Sequence, residues 1–275
     1  MPSYGRVAVA EPFSSLTRMH QWDGVTPLRT VDHEPVTPVL DQEDLIEQGI
    51  DTATLVPGAQ RVDALGSCVP NASVSALGAL LPAAKLAALG IRPDGPLLPG
   101  ESIPDAVADE EFAITLYHDM TALTGNAADE WPTVDCGSSG YYACQYLQAK
   151  GIISGHKVAS GAESICSLLQ QGGLIVGQPF FYAWEEPAAN GFIDGNGTQA
   201  DLEAAIQSGV AGGHETFWRG IESIAFTATG QVDPQKTVIR FRNSWGSWGL
   251  GGEALAHLST FIWLGSQVDY RLLVA

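Results

Sequence analysis

The sequence predicts an α+β fold of two lobes, helical first and strand-rich afterwards. Two observations carry this. Between residues 60 and about 173 the apolar residues recur at helical spacing, as in Leu77, Leu80 and Leu81, and again in Phe112, Leu116, Met120 and Leu123. From Leu174 onward short branched and aromatic runs take over: Leu174 to Gly177, Pro179 to Trp184, Phe217 to Thr227, Val238 to Arg242 and Tyr270 to Val274. Helices followed by strands, without internal repeats, fit a helical lobe over about 60–173 and a strand lobe over about 174–275, with a cleft between them.

Taken in order, residues 1–59 are rich in Pro, Thr, Val and acids. Pro35 to Gln42 reads as extended chain, and Asp41 to Gly49 as a short acidic helix stopped by glycine. The stretch is an N-terminal arm packed along the lobes or a short prosegment-like extension, and its brevity favours the arm. Ser67 is the expected N-cap of a helix holding Cys68 in its first turn, where Pro70 is tolerated because its missing N–H would be unpaired anyway. Gly90 to Pro104 is a Pro/Gly-rich loop. A helix follows from Pro104 to about Leu123, with His118 on its polar side. Val134 to Gly140 is a small-residue loop before a helix ending at Lys150-Gly151. Ala162 to Gln171 is a short helix stopped by Gly172-Gly173.

At 275 residues the chain can bury a sizeable core. Thirty-one acidic against thirteen basic residues give a net charge of −18, which disfavours nucleic acid and anionic membrane, both of which need clustered Lys and Arg. No signal-peptide pattern opens the chain and no apolar run reaches membrane length, so the expected location is cytoplasmic or virion-associated. Four cysteines (Cys68, Cys136, Cys144, Cys166) are too few for a disulfide scaffold, and no CxxC pair suggests a metal. Arginine outnumbers lysine nine to four, a composition typical of a GC-rich bacterium or its phage.

The stretch richest in chemistry is Thr237-Val238-Ile239-Arg240-Phe241-Arg242 followed by Asn243-Ser244-Trp245-Gly246-Ser247-Trp248-Gly249. Ile239, Phe241 and Asn243 share one face of a strand, so an amide arrives on the apolar face, where it must find partners or cost about 1–3 kcal/mol. Upstream stand Gly212-Gly213-His214-Glu215 and Leu65-Gly66-Ser67-Cys68. With these three pieces the chain resembles the papain-like cysteine peptidases, in particular their shorter bacterial and phage-borne branch. The order Cys, His, Asn matches, and His214 follows Cys68 by 146 residues, within the family's spacing.

The resemblance implies a two-lobed papain-like fold, the helical lobe with its cysteine helix packed against an antiparallel, β-barrel-like lobe. It implies a thiol-dependent peptidase or amidase acting by acyl transfer on a peptide or protein substrate, without cofactor. Cys68 would be the nucleophile, His214 the acid and base, Asn243 the residue orienting the ring and Trp245 the aromatic shield. Gly137 and Ser138 would line the substrate cleft. The family's glutamine for the oxyanion falls six residues before the cysteine, where this chain has Val62. Gln60 is the nearby candidate, while Asp41-Gln42 looks like the family's Asp-Gln pair displaced by an insertion of about twenty residues. The bridging cysteine that secreted relatives carry three residues before the nucleophile is here Leu65, and Val69 stands where larger relatives have tryptophan. The competing expectations are a papain-fold structural or peptide-binding protein without proteolysis, assembled into a larger particle such as a phage, and a transferase using the same thioester chemistry.

Overall fold

A computed structural model describes residues 17–91 and 104–275. The first sixteen residues, and most of the loop expected between Gly90 and Pro104, lie outside the described residues. The strands are β1 (Thr17–Met19), β2 (Val31–Asp32), β3 (Gly155–Val158), β4 (Leu174–Phe181), β5 (Val210–Ser223), β6 (Val238–Arg242), β7 (Glu253–His257) and β8 (Asp269–Val274). They form one sheet in the order β1-β3-β8-β4-β5-β6-β7, with β2 added beside β5. Only the β1–β3 pairing is parallel among these strands. The sheet does not close into a barrel; β1 and β7 stand at its two ends.

The helices are α1 (Thr52–Leu55), α2 (Cys68–Leu80), α3 (Ala83–Leu89), α4 (Pro104–Thr121), α5 (Gly140–Ala149), α6 (Ala162–Leu169), α7 (Gln199–Ser208), α8 (Trp248–Gly251) and α9 (Leu258–Leu264). The period-two alternation of the strands feeds two cores. Ile175, Phe217 and Leu273 turn toward the helices and pack with Cys68, Leu77, Leu116 and Cys144. Their neighbours Leu174, Val176, Trp218 and Leu272 turn the other way and pack with Ile165, Leu168 and Phe261. Helix α6 therefore belongs to the strand-lobe core, although it precedes residue 174. Helix α4 is buried on two sides: Leu116 and Met120 join the first core, while Ile114 and Tyr117 join a third cluster with Leu45, Ile50, Val56, Leu65 and Trp131. Leu123, expected on its apolar face, is exposed.

Residues 17–59 are laid across both lobes. β2 runs so close to β5 that only a glycine fits at Gly220, where a Cβ would collide with the Val31 carbonyl. Thr37 packs on Gly78 of α2, and Asp41 makes a β-bridge with Trp245. That bridge explains why the short helix expected at Asp41 to Gly49 does not form. The Gln42 N–H donates to the Ser244 carbonyl and its own carbonyl accepts from Leu65 N, so the backbone is held extended there and only a hydrogen-bonded turn forms over residues 45–49. The chain first turns helical at α1, capped by Asp51.

Two other boundaries differ from expectation. β4 runs unbroken from Leu174 to Phe181 and ends in a tight turn over Tyr182–Trp184. β5 starts at Val210 and so includes Gly212, Gly213 and His214, because pairing with β4 supplies what two glycines lack in strand propensity.

Candidate active site

Cys68 is the first residue of α2 and is fully buried. Its sulfur thus sits at the positive end of a 13-residue helix. Ser67 does not cap that helix with its side chain; its hydroxyl turns back to the Leu65 carbonyl at 3.4 Å, following a tight 2.7 Å backbone bond to the same oxygen. Helix α2 packs against β5, the strand that carries His214.

His214 is fully buried, opposite Gln178 of β4. Its Nε2 lies 2.6 Å from Asn243 Oδ1, which also accepts the Ser244 N–H at 2.8 Å. An amide oxygen can only accept, so Nε2 carries a proton and Nδ1 is the nitrogen whose protonation can change. The Trp245 ring stacks on the imidazole at 4.7 Å and 25°, and Phe180 meets it edge-on at 5.1 Å. Burial pulls the imidazole down to about 4, against which the Asn243 bond works. The ring keeps a second proton near neutrality only beside a negative charge.

One side chain ties the asparagine turn to the cysteine turn. Gln42 is wholly buried; its Nε2 donates to the Leu65 carbonyl at 3.0 Å, and its Oε1 accepts from Ser244 Oγ at 2.6 Å. A single carboxamide thus spans the residue next to Asn243 and the residue three before Cys68. Gln60, by contrast, is exposed, and its carbonyl is taken by Thr52 Oγ1 at 2.6 Å. The structure thus places Gln60 at the surface and Gln42 in the interior, between Leu65 and Ser244.

The loop expected to line the cleft is linked to the cysteine turn as well. Asp135 accepts the Gly66 N–H at 2.9 Å and the Tyr117 hydroxyl at 2.6 Å, and the Tyr117 oxygen accepts the Gly137 N–H at 2.7 Å. Gly137 and Ser138 are buried. Glu215 projects to the opposite face of β5 from His214, buried against the start of α5; a Cβ on Gly140 would come within 2.5 Å of its Oε1. Neither Asp135 nor Glu215 stood out in the sequence. The only signal was a charged residue placed directly after the histidine, where the buried part of β5 begins.

All four cysteines are free thiols. Burial raises Cys166 to about 12 and Cys144 well above the ordinary thiol range, which disfavours the thiolate at both. Among the described residues, no group of three or more His, Cys, Asp or Glu is placed to hold a metal ion, and no helix is long and apolar enough to cross a membrane.

No protein-family profile and no curated protein matches the chain. Solved structures do. Xylellain, a cysteine protease from Xylella fastidiosa, is similar over 100% of this chain and 96% of its own, at 14% identity and a TM-score of 0.59. Digestive procathepsin L 3 of the Tenebrio molitor larval midgut is 16% identical over 95% of this chain and 75% of its own, with a TM-score of 0.47. The first likeness shows that the chain has the papain-like fold.

Proposed function

We propose that the protein is a thiol-dependent peptidase or amidase that works by acyl transfer through Cys68, His214 and Asn243. The observation that carries this is the His214–Asn243 bond beneath Trp245, joined to the cysteine turn by the Gln42 carboxamide. In this mechanism Cys68, at the helix N-terminus, attacks a peptide carbonyl as thiolate. Its charge keeps the second proton on His214, offsetting the burial that would otherwise remove it. His214 Nδ1 then protonates the leaving amine and afterwards takes a proton from the water that hydrolyses the thioester. Asn243 fixes the ring plane, and Trp245 with Phe180 keeps water from the bond.

The tetrahedral oxygen needs donors. The Cys68 N–H is one. Gln42 is assigned as the other, because its carboxamide plane is fixed from both sides, by Leu65 of the cysteine turn and by Ser244 next to Asn243. The substrate is a peptide or protein. The part of the arm from Gln42 onward stays with the working enzyme in this reading. Hydrolysis of a fluorogenic peptide-amide library tests the proposal. Wild type should turn over members that Cys68→Ala and His214→Ala do not. Equal turnover by Cys68→Ala, or none by wild type across the library, would overturn it.

A further inference from the structure

A small cavity of about 10 Å³ lies in the seam between the lobes, behind Asn243. That is about the room one water molecule needs. Its walls include Asn71 and Ser75 of α2, Glu215 of β5, and Arg242, Asn243 and Ser244. Asn71 stands one helical turn after Cys68, so it reaches the seam from the cysteine helix.

Three atoms of these wall residues are fully buried and have no hydrogen-bond partner in the protein: Asn243 Nδ2, Arg242 Nε and Asn71 Oδ1. Their other groups are engaged. Asn243 Oδ1 meets His214 and Ser244 N–H, Arg242 Nη1 donates to the Thr37 carbonyl at 2.7 Å, and Asn71 Nδ2 donates to Glu110 Oε1 at 3.1 Å. Leaving a buried donor or acceptor unmet costs about 1–3 kcal/mol each, and buried waters ordinarily make about three hydrogen bonds to such groups.

We infer that this cavity is a binding site for one structural water, which fastens Asn243 to the cysteine helix. The water accepts from Asn243 Nδ2 and Arg242 Nε and donates to Asn71 Oδ1. Its second hydrogen faces the remaining polar wall, where Glu215 and Ser75 stand. The bond from Asn71 Nδ2 to Glu110 Oε1 sets the amide so that Oδ1 is the atom left for the water. The water fixes the plane of the Asn243 carboxamide. Asn243 in turn sets the ring of His214, so Asn71 is a positioning residue acting through solvent. That last step rests on the proposed peptidase chemistry; the water site does not.

A crystal structure of the wild-type protein tests the site directly. Density is expected for one water within about 3.2 Å of both Asn243 Nδ2 and Asn71 Oδ1. Its absence, in a map that shows other buried waters, would overturn the inference. Ala72→Val is the second arm, because Ala72 also lines the cavity and its substitution fills space without removing any hydrogen-bonding group. The variant should lose the water, lower kcat about tenfold, leave KM within about twofold, and keep its far-UV spectrum. A variant that loses the water but retains wild-type kcat and pH profile would show that the water does not position Asn243. An inactive wild type with the water in place would sink the peptidase reading alone.

Discussion

Glu110 offers a quantitative test of how the arm and the helical lobe meet. It is fully buried on α4, its Oε2 accepts the Asp41 N–H at 3.1 Å, and its Oε1 accepts from Asn71. Burial, with Asp41 and Asp109 nearby, pushes its carboxyl from 4.5 up to about 8, although both hydrogen bonds oppose the shift. The folded protein therefore holds a proton that the unfolded chain releases above pH 4.5. The stabilisation is intact below pH 4.5 and is lost as pH climbs to 8. At about 1.4 kcal/mol for each pH unit, roughly 5 kcal/mol disappears across that window. Glu110→Gln carries no ionisable group and should escape this loss. Urea unfolding of both proteins at pH 5, 6, 7, 8 and 9 gives the difference in stability, in which any constant cost of the substitution cancels. The difference should move toward the variant by about 1.4 kcal/mol per unit up to pH 8 and then level off. A flat difference would show that Glu110 ionises normally, and the account of a dry contact between arm and helix would fail.

Three further outcomes follow from the site. Gln42→Ala should lower kcat by roughly 10²–10³, the loss typical of an oxyanion donor, whereas Gln60→Ala should stay within about twofold; equal effects on peptide-amide hydrolysis would refute the assignment. Trp245→Ala should let water reach His214 and raise its pKa above about 4, as followed by NMR titration in a Cys68→Ala background; an unmoved titration would show that Trp245 is not what dries the ring. Gly220→Ala should press a methyl on the Val31 carbonyl, costing about 1–3 kcal/mol and exposing residues 17–59 to limited proteolysis; an unchanged digestion pattern would mean that the arm is not held at β2.

The parts of this protein written locally were legible in the sequence. Val238 to Arg242 alternates as a strand should, and it delivers Asn243 to the apolar face with Ile239 and Phe241, both fully buried. The cysteine helix and the stacking of Trp245 on His214 likewise follow from local signals and family resemblance. What stayed hidden depends on pairing across long separations. Gln42 was legible only through the family's Asp-Gln pattern; that Leu65 and Ser244, 23 and 202 residues away, grip its amide is recorded by no periodicity. Glu110 looks like the polar face of an amphipathic helix, yet the arm covers that face. Asp135 is exposed and unremarkable in sequence, while its carboxylate ties the Gly66 turn to Tyr117 of α4.

The central claim is that Cys68 and His214 form one reactive unit, and the rate of Cys68 alkylation by iodoacetamide across pH 4 to 9, read by peptide mass spectrometry, tests it most directly. Cys144 and Cys166, buried with raised pKa values, serve as unreactive references in the same digest. The account predicts a fast rate that persists below pH 7 and is lost in His214→Ala. A rate that falls away as for an ordinary thiol of pKa about 8.5, and is indifferent to His214, would contradict it and leave a papain-like fold without the chemistry.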